Sequence, residues 1–218
     1  MTDRIMGFTL LELFTLGGIT MWPLLFFSIA TIAIILERLI YLGYYNLRLD
    51  DLKIKVKDFI HEGKFREAVD YLQGLTKRRI GARILLALVI RAEKKNNSEH
   101  HLEKTAEAEA MTCINSLETG FNFLVALGSI SPLTGFLGTV TGMIGAFRSI
   151  SEAEDVSAQI VANGIYEALI TTVFGLIIAI MAMVAHSLLT NKVDKFTSEV
   201  EKTCSELIID IMENANEN

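Results

Sequence analysis

The sequence predicts an all-α integral membrane protein with three transmembrane helices, two of which continue as long helices into the cytoplasm. Three long stretches contain no Asp, Glu, Lys or Arg, namely Leu13–Leu36, Thr119–Phe147 and Ala168–Asn191. Each exceeds the roughly 20 apolar residues that a helix needs to cross a bilayer. The composition agrees, because 51% of the residues are hydrophobic and 21% are charged, so the two classes must be segregated along the chain.

These spans divide the chain into seven segments. In order they are a periplasmic amphipathic segment (1–18), transmembrane helix one (19–43), a cytoplasmic helical region (44–117), transmembrane helix two (118–147), a short periplasmic loop (148–160), transmembrane helix three (161–190) and a cytoplasmic C-terminal helix and tail (191–218). The first helix should begin near Met21, after a break at Gly17-Gly18. Pro23 then falls in its first turn, where the missing N–H costs nothing.

The cytoplasmic region shows apolar residues at helical spacing among charged ones. Gly63 and Gly74 predict breaks between short helices there. Ser98 is a predicted N-cap, and no clear stop follows it until about Arg148, which predicts one uninterrupted helix through the second span. After Asn191 an amphipathic stripe continues, so the third span should extend into the cytoplasm as well.

The orientation follows from the distribution of positive charge. The segment 43–117 holds 14 of the 20 Lys and Arg residues, whereas the connection between spans two and three holds only Arg148. The positive-inside rule then places the N-terminus outside and the large loop and C-terminus in the cytoplasm. Trp22 and the tyrosines near residue 44 stand at opposite ends of span one, as interface anchors do. The inverted topology is the alternative.

Small residues form a stripe along one face of each of the last two spans. The spacing is three or four residues throughout, with Gly128, Ser131, Gly135, Gly138, Gly142 and Gly145 in span two and Ala168, Thr172, Gly175, Ala179 and Ala182 in span three. Such stripes allow helix backbones to approach closely. Helix packing explains most of the glycines. The other interpretation is that some of these positions face a narrow lumen.

Polar groups at membrane depth are hydroxyls rather than carboxylates. They belong to Thr134, Thr139, Thr141, Thr171 and Thr172. A single Thr can simply bond its own helix, but several on two helices can line a path for water or bind a partner's carboxyl group. If protons cross here, another chain should supply the titrating group.

Two titratable residues at the ends of span three have two interpretations each. Glu167 marks either an ion pathway or the outer interface, where a helix N-terminus favours a carboxylate. His186 is either an interface histidine or a proton relay. Glu37 and Arg38 at the inner end of span one are interpreted as an interfacial anchor pair.

The sequence disfavours nucleic-acid binding and catalysis. Its net charge of −6 excludes a basic nucleic-acid footprint. It contains no phosphate loop, HExxH, Ser elbow or CxxC motif, so no enzymatic activity is expected. Cys113 and Cys204 lack metal-ligand spacing and are interpreted as reduced structural residues. His100 and His101 could bind a metal weakly, but adjacent helical residues face apart. No metal site and no cofactor is predicted.

Three separated motifs resemble the MotA/TolQ/ExbB proton channel family. They are residues 17–25 (GGITMWPLL) with the following Leu36-Glu37-Arg38, residues 131–143 (SPLTGFLGTVTGM) and residues 164–176 (GIYEALITTVFGL). The resemblance covers nearly the whole chain. With three spans rather than four, the chain resembles ExbB and TolQ more than the flagellar stator. The motifs do not distinguish ExbB from TolQ.

The resemblance implies a homopentameric ring in a bacterial inner membrane. The ring would enclose a dimer of a single-span ExbD/TolR-like partner whose Asp carries the proton, and would act through a TonB- or TolA-like protein on the outer membrane. The family's pore-lining threonines fall on Thr139 and Thr172, and its pore glutamate falls on Glu167. Thr134 and Thr141 have no family role. Helix packing is assigned to Gly135, Gly138, Gly142 and Gly175.

A different class of function stays open. The chain could be a non-conducting oligomeric scaffold that holds a single-span partner. A motor predicts proton flux that depends on the partner's Asp, whereas a scaffold predicts none. A membrane enzyme, the third class, lacks any nucleophile or metal constellation in this sequence.

Overall fold

A computed structural model describes residues 4–5, 8–93, 98–152 and 158–217. The described chain is helical except for two antiparallel two-residue strands, β1 (Arg4–Ile5) and β2 (Phe8–Thr9). The helices are α1 (Leu10–Leu16), α2 (Met21–Tyr44), α3 (Asp50–His61), α4 (Phe65–Leu75), α5 (Ile80–Glu93), α6 (Glu99–Glu118), α7 (Phe121–Glu152) and α8 (Ala158–Glu217). The predicted all-α class is therefore confirmed.

Three helical stretches are long and apolar enough to cross a membrane. They lie in Met21–Tyr44, Glu99–Glu152 and Ala162–Asn214, and an 18-residue window within each has a mean hydropathy of 2.0, 1.6 and 2.6, respectively. Many of their large apolar side chains are exposed, among them Phe26, Phe136 and Ile180. Apolar surface of this extent requires lipid or another protein to cover it. The three predicted spans thus agree with the helices of the structure.

The chain separates into two compact units. The apolar unit comprises residues 1–36 and 120–187, and the charged unit comprises residues 37–119 and 188–218. In the apolar unit, α1 and the start of α2 pack on α8. Their shared core contains Leu13, Met21, Leu24, Ile170 and Ile178, with Phe14, Phe27 and Phe174 at its edge.

The charged unit has its own core of aliphatic side chains from α3 to α6 and the C-terminal part of α8. Leu52, Ile60, Leu72, Leu85 and Leu102 are completely buried there. Ion pairs surround this core. They are Arg79–Asp51 (3.5 Å), Arg83–Glu109 (3.1 Å), Arg66–Glu93 (3.2 Å), Lys57–Asp210 (3.0 Å) and Lys53–Glu206. The Lys53 hydrogen bond lowers the pKa of the Glu206 carboxyl.

The prediction of one uninterrupted helix from Ser98 to Arg148 was wrong. Helix α6 ends at Glu118 and α7 begins at Phe121, with Thr119 and Gly120 forming a turn between them. Gly120 has φ +87°, a left-handed conformation that glycine adopts without steric cost. Glycine in this conformation commonly ends a helix. The sequence signal was therefore present, but the continuous apolar pattern outweighed it.

Other predicted boundaries differ in smaller ways. Gly63 follows the end of α3 with φ +70°, as expected for a break. Gly74 instead lies inside α4, which ends one residue later. Ser98 occupies the N-cap position of α6 in an extended conformation, but its side chain makes no capping hydrogen bond. Helices α7 and α8 both extend into the segment 148–160, whose residues 153–157 are outside the described chain.

Candidate functional site

Helices α7 and α8 meet along an antiparallel seam of small residues in the apolar unit. Gly128 faces Ala182, and Gly142 at the other end of the seam faces Ala168. A methyl group on Gly135 would lie 2.8 Å from the carbonyl oxygen of Thr171. At Gly135 there is no room for a Cβ, because backbone, which cannot rotate aside, lies opposite it. The glycines of the span-two stripe therefore contact α8, except Gly145, which has no such neighbour within 4 Å.

The remaining glycines of the seam differ in how tightly they are enclosed. A methyl group on Gly175 would lie 2.6 Å from the carbonyl oxygen of Ser131. One on Gly138 would overlap the Thr171 hydroxyl and lie 2.9 Å from that of Thr20. At Gly142 the nearest atom, the Ala168 Cβ, would be 3.3 Å away. The seam is therefore tight at Gly138 and Gly175 and looser at Gly142.

Two adjacent threonines cross-link the seam through one carbonyl group. The Thr171 hydroxyl donates to the carbonyl oxygens of Gly135 (3.2 Å) and Ala168 (2.8 Å). The Thr172 hydroxyl donates to the same Gly135 oxygen at 3.3 Å. Thr171 is completely buried, whereas Thr172 is half-buried. Only Thr172 therefore combines a seam contact with access to the surface of the helix pair.

Thr139 and Thr172 lie on the same side of the α7–α8 pair. Thr139 follows the seam residue Gly138, and Thr172 follows the seam residue Thr171. Each threonine is therefore turned by about 100° around its helix from the seam. Because the helices run antiparallel, these two turns carry the side chains to one side. Phe174, in the core with α1 and α2, is two positions from Thr172 and thus nearly opposite it. The threonines face away from the first span.

Glu167 lies on the other side of the helix pair, next to the turn between α1 and α2. Gly18 in that turn has φ +67°, and a methyl group on it would overlap the Glu167 carboxylate. The structure therefore does not bring Glu167 together with Thr139 and Thr172 within one protomer. Glu167 is also the tenth residue of α8, which begins at Ala158. A helix dipole acts mainly within the first turn, so this position weakens the dipole interpretation.

Three threonines of the second span bond within their own helix. Thr134 donates to Ile130 at 3.0 Å, and Thr141 donates to Leu137 at 3.0 Å and to Gly138 at 3.1 Å. Thr139 itself donates to Phe136 at 2.6 Å. These bonds satisfy each hydroxyl hydrogen and leave its oxygen lone pairs available.

Residues at the ends of the spans are held by local contacts. The His186 ring packs edge-on against Phe121 with centroids 6.0 Å apart. Glu37 and Arg38 form the predicted pair at 2.6 Å, and Arg38 also donates to the Ser116 carbonyl at 3.4 Å. Within the described ranges, no cluster of three or more His, Cys, Asp or Glu side chains could hold a metal ion.

Sequence reasoning missed the contacts that Gly18 and Thr20 make at this site, and it missed the burial of Thr31. Thr20 and Gly18 bring the first span against Gly138 and Glu167, and no periodic pattern marks them. Thr31 is completely buried in α2, and its hydroxyl has no hydrogen-bond partner among the described residues. Thr171 was noted only as one hydroxyl among five, although it makes the buried cross-link.

The family model and the similar proteins found by comparison agree on one family. The model of the MotA/TolQ/ExbB proton channel family matches residues 74–202. The chain is 32% identical over 197 residues to the biopolymer transport protein ExbB-like 1 of Synechocystis, covering 84% of this chain and 71% of that protein. It is 44% identical over 81 residues to TolQ of the Tol-Pal system in Haemophilus influenzae, covering 37% of this chain and 36% of that one.

A further relative is the biopolymer transport protein ExbB of Salmonella typhimurium, which is 30% identical over 90 residues, 41% of this chain and 37% of that protein. The chain thus spans about a third of the TolQ and ExbB sequences but more than two thirds of the Synechocystis protein. The match to the family model covers more than half of the chain and includes the whole α7–α8 seam. This multi-pass membrane protein therefore belongs to the MotA/TolQ/ExbB proton channel family.

Proposed function

We propose that the chain is the proton-channel subunit of an inner-membrane motor that works with an ExbD- or TolR-like partner. In this proposal five copies form a ring around a dimer of the single-span partner, whose Asp carries the proton. The proton motive force then moves the partner relative to the ring. Through a TonB- or TolA-like protein this movement does mechanical work on the outer membrane. The N-terminus lies in the periplasm and the charged unit lies in the cytoplasm.

One observation carries the proposal. Thr139 and Thr172 occupy the side of the α7–α8 pair that does not pack on the first span. Around them the same side carries exposed apolar residues, including Leu169, Leu176 and Ile180. A face of this kind, apolar with two hydroxyl groups at mid-depth, suits contact with another membrane helix.

The chemistry of the hydroxyls supports a role beside a partner's carboxyl group. A carboxylate in the membrane interior is costly in its charged form. A Thr oxygen accepts a hydrogen bond from the neutral acid, and it also holds water through which the proton can leave. Because the middle of each span lacks a carboxylate of its own, the titrating group in this proposal belongs to the partner. The ring then provides the hydroxyl groups beside the proton path and does not itself carry the proton.

Proton flux tests the proposal directly. The chain, co-reconstituted with its single-span partner in liposomes, should pass protons under an applied potential. Replacing the partner's membrane Asp with Asn should abolish the flux while the complex still forms. Native mass spectrometry of the same preparation should show five copies of the chain.

The alternative function, a non-conducting scaffold, predicts the opposite result for proton flux. A scaffold would retain the partner and form the same oligomer but would show no flux above that of empty liposomes. Flux that persists after the Asp→Asn change would contradict the proposal in another way, because the titrating group would then belong to this chain.

A further inference from the structure

A basic cavity lies in the charged unit, where α2 ends and α8 leaves its apolar run. Its volume is about 520 Å³, within the roughly 300–1,000 Å³ typical of small-ligand pockets. Tyr44 and Tyr45 line one wall, and Lys192 and Lys195 on α8 line another. Arg48 completes the basic lining.

The positive charge of this cavity is largely uncompensated. Arg48, Lys192 and Lys195 face a single carboxylate, that of Glu199. Among the ion pairs found in the described chain, none involves these three cations. Other basic side chains of the same unit are paired, as Arg79 is with Asp51. Three cations that line one cavity without an ion pair favour the binding of an anion.

The walls of the cavity are held in place by the backbone. The Asn46 N–H donates to the Arg78 carbonyl at 3.1 Å, and the Arg48 N–H donates to the Asn46 side-chain oxygen at 3.0 Å. On the other wall, Lys192 donates to the Leu42 carbonyl at 3.4 Å. Leu49, which ends the segment, is buried against Gly81. The backbone that carries Arg48 and the Lys192 ammonium are therefore held in place before any ligand binds, which reduces the entropic cost of binding.

The surroundings of the cavity identify the source of the anion. Tyr44 is the last residue of the apolar helix α2, and Lys192 directly follows the last uncharged run. Aromatic rings and lysines at such boundaries lie at the depth of lipid headgroups. Leu39 and Ile40, about one turn before Tyr44, are exposed apolar residues on which an acyl chain can lie.

We propose that this cavity binds the phosphate of an anionic phospholipid headgroup, with the acyl chains along the exposed face of α2. Arg48 and Lys195 contact the phosphate, while Lys192 remains tied to the end of α2. The binding is independent of proton conduction and does not require a partner protein. It would anchor the end of α2 and the adjoining part of α8 to one leaflet.

Lipid retention by the purified full-length protein tests this site. Dioleoylphosphatidylglycerol and dioleoylphosphatidylcholine, which share their acyl chains, are titrated separately in an uncharged detergent and counted by native mass spectrometry. The wild type should retain the anionic lipid in preference. The Arg48→Gln/Lys195→Gln variant should bind it about 25-fold more weakly, since each cation near a membrane surface contributes about fivefold. The matched control, Lys104→Gln/Lys202→Gln, removes two exposed cations outside the cavity and should leave binding unchanged.

Each contrary outcome overturns the proposal. Equal retention of the two lipids by the wild type would show that the headgroup charge is not recognised, whatever the variants do. Unchanged binding in the Arg48/Lys195 variant would place the lipid elsewhere. A third arm adds an excess of inorganic phosphate. The lipid should stay bound because of its acyl contacts, and full displacement by phosphate would assign the cavity to a free anion instead.

Discussion

Adjacent threonines at the same depth of α8 have different environments. Thr171 is completely buried in the seam and donates to Gly135 and Ala168, whereas Thr172 is half-buried on the side turned away from the first span. The spacing pattern placed Thr172 rather than Thr171 in the small-residue stripe, because spacing alone does not fix which member of an adjacent pair is buried. The resemblance to the family selected Thr172, and the side of the helix it occupies agrees with contact to another chain.

Replacement of Thr172 or Thr139 by Val should abolish motor-dependent growth while the complex still assembles. Val keeps the shape of the side chain and removes the hydroxyl that would bond the partner's neutral carboxyl group. Thr134→Val and Thr141→Val are matched controls, since these two side chains lie on other faces of α7; both should behave like wild type. Wild-type growth of Thr172→Val would mean that its side of the helix pair is only a packing surface.

Gly18 is required by both its backbone conformation and its neighbour. Gly18→Ala should lower the thermal unfolding temperature of the protein in detergent. The left-handed φ of +67° costs a residue with a Cβ about 1–2 kcal/mol, and the new methyl group also displaces the Glu167 carboxylate. Gly63→Ala is the control, because its φ is +70° but no described atom lies within 4 Å of the added group. An equal effect of the two changes would show that the Glu167 contact is unimportant.

At the scale of the elements, the sequence predicted which faces pack but not how they are arranged. The small-residue stripes of spans two and three lie along the seam between α7 and α8, except at Gly145. The packing of α1 and α2 against Ile170 and Phe174 could not be predicted, because apolar residues surround every membrane helix and do not single out one neighbour. The break at Thr119–Gly120 was missed for a related reason, since apolar character continues on its C-terminal side.

The seam itself can be tested by adding one methyl group. Gly175→Ala should destabilise the protein, because its Cβ would lie 2.6 Å from the Ser131 carbonyl oxygen and the backbones would have to separate. Overpacking of this kind typically costs about 1–3 kcal/mol. Gly145→Ala is the matched change on α7, and no described atom lies within 4 Å of its added Cβ. It should be neutral or stabilise by about 0.5–1 kcal/mol through helix propensity.

Thermal unfolding in the same detergent measures both variants. If Gly175→Ala were as stable as Gly145→Ala, the close approach of α7 and α8 would not exist in the protein in solution.

At the scale of the whole molecule, the central question is which end of the spans faces the cytoplasm. The distribution of Lys and Arg gives one answer, and labelling of introduced cysteines can check it. The native Cys113 and Cys204 should contribute little background. Burial raises the pKa of each thiol to about 11, so at pH 7 a fraction on the order of 10⁻⁴ is the reactive thiolate.

The experiment treats cells that have a permeabilised outer membrane with a membrane-impermeant maleimide. Ser151→Cys, at an exposed position near the end of α7, should be labelled at once because the connection to α8 is predicted to be periplasmic. Lys104→Cys, at an exposed position on α6, should react only after the inner membrane is also opened. The wild type, labelled in parallel, measures the native background. Labelling in the reverse order would invert the topology and place the basic cavity between α2 and α8 at the periplasmic leaflet.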